Sequence, residues 1–266
     1  MGRRHDLSTR LASLGEIGDI MTAMKNLAFM ETRKLASFLS AQRLAVEAME
    51  NAIADFTSFY GRNPQAETRE ICLLIGSERS FCGDFNVKLA RTREEVLPGI
   101  PVVAVGNRLA NLAPDILIPG ANVAEEVEPV LASLVDALEK MQGESGSALG
   151  ITAIHHEEES VKSRRLLPLP DLPSPGFYHP PLIQLEPFLL YEKLSGHYLY
   201  VALHEVLYSS LMEENRHRID HMENAISRLK ERVERLKKRF NMMRQEEIIE
   251  EIEVIMLSVD PPGIRR

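Results

Sequence analysis

The densest run of metal-ligating residue types in the chain is His155-His156-Glu157-Glu158-Glu159. Imidazole nitrogens and carboxylate oxygens together would suit a zinc-like ion. Their spacing works against it, because neighbouring side chains on a strand point to opposite faces and do not converge on one ion. The run reads instead as a polar edge strand, and no metal site is expected. Sulfur chemistry is equally sparse. Cys72 and Cys82 lie in or beside an apolar segment, and two thiols in a chain of this size read as a reduced, cytosolic-side protein. There is no Gly-x-x-x-x-Gly-Lys-Ser/Thr loop to cradle a nucleotide phosphate, and no Gly-x-Gly-x-x-Gly follows a strand. A Gly-x-Ser-x-Gly nucleophile elbow is also missing. The residues imply no catalytic group, no cofactor and no metal of the chain's own.

Helix breakers divide the 266 residues into three parts, read as 1–62, 69–186 and 187–266. From Asp6 to about Tyr60 there is no proline, and Leu7, Leu11, Leu14, Ile17, Met21, Met24, Leu27, Ala28, Leu35, Phe38, Leu39, Ala45, Val46, Met49 and Ile53 recur at helical spacing. That is one buried helical stripe, with Asp6 placed to cap its start. From Phe188 to Val259 the same texture returns, with Gly196 the only glycine. A helix of that length exceeds what one globular core can bury, so it must lean on the other. Between them, short apolar runs at Ile71–Ile75, Pro101–Val105, Asp115–Ile118 and Gly150–Ile154 alternate with helical stretches at 87–96 and 125–141. Buried strands alternating with helices imply a mainly parallel sheet covered on both faces. The proline-rich stretch 166–187 reads as an extended strand with loops. The expected fold is α/β: long N- and C-terminal helices forming an antiparallel coiled coil, with a central Rossmann-like α/β domain. No run of about 18 apolar residues is present to span a membrane. The net charge of -8 argues against nucleic acid as a partner. The start of the chain, basic but without an apolar stretch, is not expected to be a secretory signal.

Three blocks in order carry a resemblance that covers nearly the whole chain. They are Ile20-Met21-Thr22-Ala23-Met24-Lys25-Asn26-Leu27-Ala28 with Arg33-Lys34, then Ser77-Glu78-Arg79-Ser80-Phe81-Cys82-Gly83-Asp84-Phe85-Asn86, then Asn241-Met242-Met243-Arg244-Gln245-Glu246-Glu247-Ile248-Ile249-Glu250-Glu251-Ile252. Together they resemble the γ subunit family of F-type ATP synthases. Glu186-Pro187, Glu214 and Arg218 fit the same register. The chain also departs from the family. Asp84 replaces a glycine of the family's Cys-Gly-Gly turn, and residues 224–228 read Asn-Ala-Ile-Ser-Arg. A Pro261–Arg266 tail is added, and the regulatory cysteine pair of the chloroplast form is missing. These differences suggest a divergent branch.

The resemblance implies a central rotor stalk that couples ion flow through a membrane ring to ATP synthesis or hydrolysis on α and β subunits. The chain itself would be noncatalytic, and the coupled ion a proton or sodium. Partners implied are the α and β subunits, an ε-type subunit and the membrane c-ring. The chain would sit peripherally on the cytoplasmic face of the cell membrane. Met24, Lys25 and Arg218 match positions facing an acidic lever of the β subunits. Cys82 lies in a loop near the same lever, although burial alone explains a cysteine there equally well. Arg244 and Gln245 match a contact to a β-subunit loop, where Arg makes forked bonds to a carboxylate. The basic run from Arg228 to Arg239 fits an acidic partner, and a solvated face accounts for it as simply. The apolar end Ile252–Val259 is a tip able to turn in a hydrophobic sleeve, or the end of a helical seam. Phe177, Tyr178 and His179, with Glu205 and Tyr208 as further candidates, would form the foot on the membrane ring. Two rival classes stand beside this reading: an enzyme built on the middle domain, and a coiled-coil scaffold outside any ATPase.

Overall fold

The two proline-poor stretches form the two long helices, α1 (Gly2–Tyr60) and α4 (Pro187–Val259). The computed structural model that shows them describes residues 2–61, 68–145, 147–169 and 179–259. Helix α1 begins a turn earlier than the sequence suggests. Asp6 lies inside it, exposed, and Arg4 in the first turns donates to Glu247 at 2.7 Å. The helix stops where Gly61 turns left-handed at φ 73° and its N–H bonds back to the Thr57 carbonyl at 3.1 Å. Pro187 opens α4 at a position whose N–H has no intrahelical partner to lose.

By contact the chain divides into two compact units: Met1–Leu27 with Asp220–Arg266, and Ala28–Ile219. In the first, α1 and α4 run antiparallel. Arg4 pairs with Glu247, and Lys25 meets Glu223 at 3.6 Å. At Gly18 an added Cβ would come within 3.1 Å of Leu229, so the glycine allows the helices to approach closely.

The second unit holds a five-stranded sheet in the order β3-β2-β1-β4-β5. Its strands are β1 (Thr68–Ile75), β2 (Val102–Val105), β3 (Ile116–Ile118), β4 (Ala148–Glu157) and β5 (Ser160–Leu167). The first four are mutually parallel, and β5 runs antiparallel to β4. Alternation along the strands feeds two cores. Ile71, Leu73, Ile75, Val103, Val105, Ile151 and Ala153 face Leu35, Val46 and Ile53 of α1, Leu131 and Leu134 of α3 (Val127–Ser145), and Tyr198, Leu203 and Val206 of α4. Cys72, Leu74, Ala104 and Ile154 face Phe85 and Leu89 of α2 (Phe85–Val96). A parallel sheet covered on both faces is what the apolar runs require.

Two details correct the sequence reading. The extended strand expected in 166–187 lies earlier, as β5, and residues 170–178 fall outside the described set. The polar edge strand expected at 155–159 is neither polar in setting nor an edge. His155 and His156 are 2% and 1% exposed, because β5 pairs alongside them through Lys162 and Val161. Glu158 and Glu159 form the hairpin turn, both at positive φ, 48° and 64°. Two-residue hairpin turns of that kind usually carry Asn-Gly, so Glu-Glu conceals the hairpin.

A charged clamp fastens β5 to the two long helices within this unit. Arg164 donates to Glu205 at 2.6 Å, to Glu50 at 3.0 Å and to the Tyr198 hydroxyl at 3.3 Å. Glu205 is 7% exposed, so removing Arg164 leaves its carboxylate buried with, among the described residues, only the Arg43 guanidinium nearby, at 3.7 Å. Breaking a fully buried pair costs about 3–5 kcal/mol, and Arg164 keeps some exposure. Arg164→Met should therefore lower stability by about 2 kcal/mol. Urea unfolding of the full chain measures it, and an unchanged midpoint would show that the clamp contributes nothing.

Candidate functional site

The second sequence block forms the loop that leaves β1, and its own side chains hold it rigid. The Ser77 N–H donates to Asn86 Oδ1 at 3.0 Å, and Asn86 Nδ2 donates to Ser77 Oγ at 2.7 Å. Cys82 Sγ approaches the same hydroxyl at 3.2 Å. Cys82 is buried, and burial pushes its thiol up, with the Ser77 contact pulling the other way. A thiol so protonated is a poor nucleophile. Cys72, buried on the neighbouring strand, is pushed up to about 11 by burial. Asp84, the departure from the family's glycine, pairs with Lys88 one helical turn on, at 3.0 Å. Phe81 stands half-exposed at φ 71°, the one non-glycine residue of this loop in the left-handed region.

Arg218 lies against this loop from α4, and it is 5% exposed. It donates to Glu214 and, at 2.8 Å, to Asn215 Oδ1. Burial pushes the Glu214 carboxyl up against the pull of Arg218. Glu214 also accepts from the Glu78 N–H at 3.4 Å. Cys82 and Arg218, singled out separately in the sequence, are thus joined through Glu214 and the loop backbone. Ser77, Glu78 and Asn86 carry the loop's order and were passed over as site residues, although all three stand within the quoted block.

On the other side of the loop, His156 stacks on Phe85 at 3.9 Å, and its Nε2–H donates to the Phe85 carbonyl at 2.9 Å. Burial lowers His156 to about 4, and burial with the Arg164 charge lowers His155 to about 3. Among the described residues no three metal-ligating groups come together. The enzyme alternative needs converging polar groups at the carboxyl ends of the strands. A cavity of about 540 Å³ opens at the amino ends beside Thr68 and Ala148, and Leu138, Leu149, Tyr191 and Leu199 line it.

In the other unit, Met24 and Lys25 are half-buried on α1, while Arg244 and Gln245 are exposed on α4. Beyond them the helix is bare: Val254, Ile255, Met256 and Leu257 are 65%, 60%, 69% and 77% exposed. Four consecutive helical residues sweep a full turn, so this end is apolar on every side. Of the expected foot, Phe177 and Tyr178 lie outside the described residues and His179 is exposed. Glu205 is spent in the Arg164 clamp, and Tyr208 stacks on Phe38 at 5.8 Å.

The buried histidines give a pH prediction. Their folded pKa values lie below the ordinary 6.5, so the unfolded chain binds more protons between about 3 and 6.5. Stability is complete above pH 6.5 and should fall as pH drops through that window, by about 1.4 kcal/mol per unit of separation. His156→Gln, which does not titrate, should flatten the slope. Denaturant midpoints measured from pH 7 to 4 decide it, and equal slopes would remove His156 from the account.

A model of the ATP synthase family matches residues 3–260. An ATP synthase gamma chain of Moorella thermoacetica is 25% identical over 283 residues, spanning 98% of this chain and 99% of its own length. Another, from Campylobacter jejuni subsp. doylei, is 23% identical over 227 residues, with 76% and 74% covered. Among solved structures, a chain of the Euglena gracilis mitochondrial ATP synthase rotor superposes with a TM-score of 0.64 at 13% identity, covering 93% of this chain and 99% of that one. A chain of the central stalk and c-ring of the Tetrahymena thermophila enzyme gives 0.56 at 18% identity, covering 77% and 99%. At such identities the structural likeness speaks for the fold.

Proposed function

Since this chain belongs to the ATP synthase family, we propose that it is the γ chain of an F-type enzyme, the noncatalytic central stalk that transmits rotation between a membrane ring and the ATP-handling subunits. One observation of the structure supports this most directly. The last full turn of α4, Val254–Leu257, is apolar all round and exposed, and a helical end of that kind is best satisfied in water when a partner encloses it. A sleeve formed by α and β subunits would enclose it without binding any one face, as a turning shaft requires.

The finer assignments follow the same reading. Arg244 and Gln245 project freely and would contact a β-subunit loop, Arg244 through charge-assisted bonds to a carboxylate. Met24 and Lys25 would face the acidic lever of the β subunits, with Cys82 supporting that contact from within its loop. Arg218, paired with Glu214, would act on the loop's position. His179, with Phe177 and Tyr178, would belong to the foot on the c-ring, and an ε-type chain would bind beside it. Among the described residues no helix is long and apolar enough to cross a membrane, and a peripheral place on the cytoplasmic face fits the reading. The coupled ion, proton or sodium, is selected in the membrane ring. Rotation would change the relative free energies of open and closed catalytic sites, because each β subunit meets a different face of the shaft.

The experiment is co-expression with partner α and β chains. Recovery of one complex with ATPase activity is expected, whereas a stable lone homodimer, or turnover without partners, would overturn the reading. Within the complex, Arg244→Ala with Gln245→Ala should lower coupling by up to roughly tenfold, the size of one lost charge-assisted contact. The isolated variant should keep its circular dichroism. Full coupling in the reconstituted variant would withdraw the role of those two residues.

A further inference from the structure

In an open α/β sheet, ligands bind outside the carboxyl ends of the strands, and anions are held there by backbone N–H groups. In this chain the loops after β1, β2 and β3 meet at one side chain, Glu78. Its Oε2 accepts the Asn107 N–H at 3.0 Å and the Gly120 N–H at 2.7 Å, and its Oε1 accepts the Asn107 side-chain amide. The three donors belong to the loops behind β2 and β3, and the carboxylate comes from the loop behind β1. The loops close around it because two positions lack a Cβ. Gly106 sits at φ 110°, where an added Cβ would lie 2.7 Å from the Gly76 carbonyl. At Gly120 an added Cβ would be 3.3 Å from Glu78 Oε2 and 3.2 Å from Gly106 Cα. The loops are also tied to each other directly, through Gly76 N–H to the Val105 carbonyl and Gly106 N–H to the Ile118 carbonyl, both at 2.8 Å.

We propose that this is an anion site for a small carboxylate, with Glu78 as its resident ligand. The chain occupies its own ligand position, and the same bonds anchor the loop that carries Cys82. A neutral donor set around a charged acceptor gives bonds about twice as strong as neutral ones, which suits an anchor. Emptying the position leaves three converging N–H donors with no acceptor, and a free carboxylate would fill it. The inference stands apart from the stalk reading, and neither one's failure touches the other.

The test is Glu78→Ala in the full-length chain, followed by thermal unfolding in sodium formate against sodium chloride at equal ionic strength. The melting temperature should fall by roughly 4–10 °C. Formate should restore at least half of the loss in a saturable way, while chloride should not. Glu78→Gln keeps the bulk and one carbonyl acceptor, so it should lose less and ignore formate. An unchanged melting temperature in Glu78→Ala overturns the proposal. So does equal recovery in formate and chloride, or a formate response in Glu78→Gln as large as in Glu78→Ala. If Glu78→Ala does not fold in buffer, refolding yield is read in the two salts. Recovery in formate alone supports the site, and recovery in neither, or equally in both, overturns it.

Discussion

Ile71, Leu73 and Ile75 on one face of the central strand must be buried, and within their unit the cover comes from residues 28–60 of α1 and 187–219 of α4, helped by α3. The other features of that unit follow from this. A sheet of parallel strands has no wet face. Its cover comes from two stretches distant in the sequence, so the sheet and these parts of the helices share one core. Leu35, Ile53, Leu203 and Val206 are each at most 1% exposed, as core residues of a globular domain would be, although they belong to helices that run on past it.

Apolar burial does not fix orientation, because a helix can slide or roll on a greasy face. Polar groups set the register. Arg164 reaches Glu50 and Glu205 on the two helices at once, and Gln42 donates to the Val201 carbonyl at 2.8 Å. Ser210 reaches the Ile75 carbonyl at 3.2 Å at the end of the strand. Each of these groups costs desolvation energy, and their net contribution to stability is modest. What they supply is a single arrangement. In the proposed stalk, a single arrangement would matter more than added stability.

The long helices, the four parallel strands and α2 and α3 were legible in the sequence, because each is specified by contiguous pattern: threes and fours without proline, or short apolar runs ending in a turn. Strand β5 was not legible. Its sequence, Ser-Val-Lys-Ser-Arg-Arg-Leu-Leu, is charged because one member, Arg164, points at carboxylates from two other elements. Its hairpin turn uses Glu-Glu where the usual signal is Asn-Gly. The histidine pair looked polar because the sequence cannot show that β5 and Phe85 would cover it. The block around Cys82 was recognisable as a unit, but its inner bonding was not. Ser77 with Asn86, Glu78 with Asn107 and Gly120, and Arg218 with Glu214 are pairings across loops, and no periodicity encodes them.

The residues singled out for function divide by how far the chain satisfies them. Cys82, Arg218 and Glu205 have their partners inside the protein and are buried with them. Arg244, Gln245, Ile252 and the apolar turn Val254–Leu257 are exposed. The first group has its charges neutralised within the protein, where it orders the chain's own elements. The second group offers what a partner could bury or pair: exposed apolar surface and a guanidinium with no ion pair among the described residues. A stalk needs the two kinds of residue in different places. The internally bonded residues hold the loop of Cys82 in one arrangement, and the last turn of α4, Val254–Leu257, offers apolar surface around the whole helix. This is why the apolar tip, rather than the loop of Cys82, bears the weight of the functional reading.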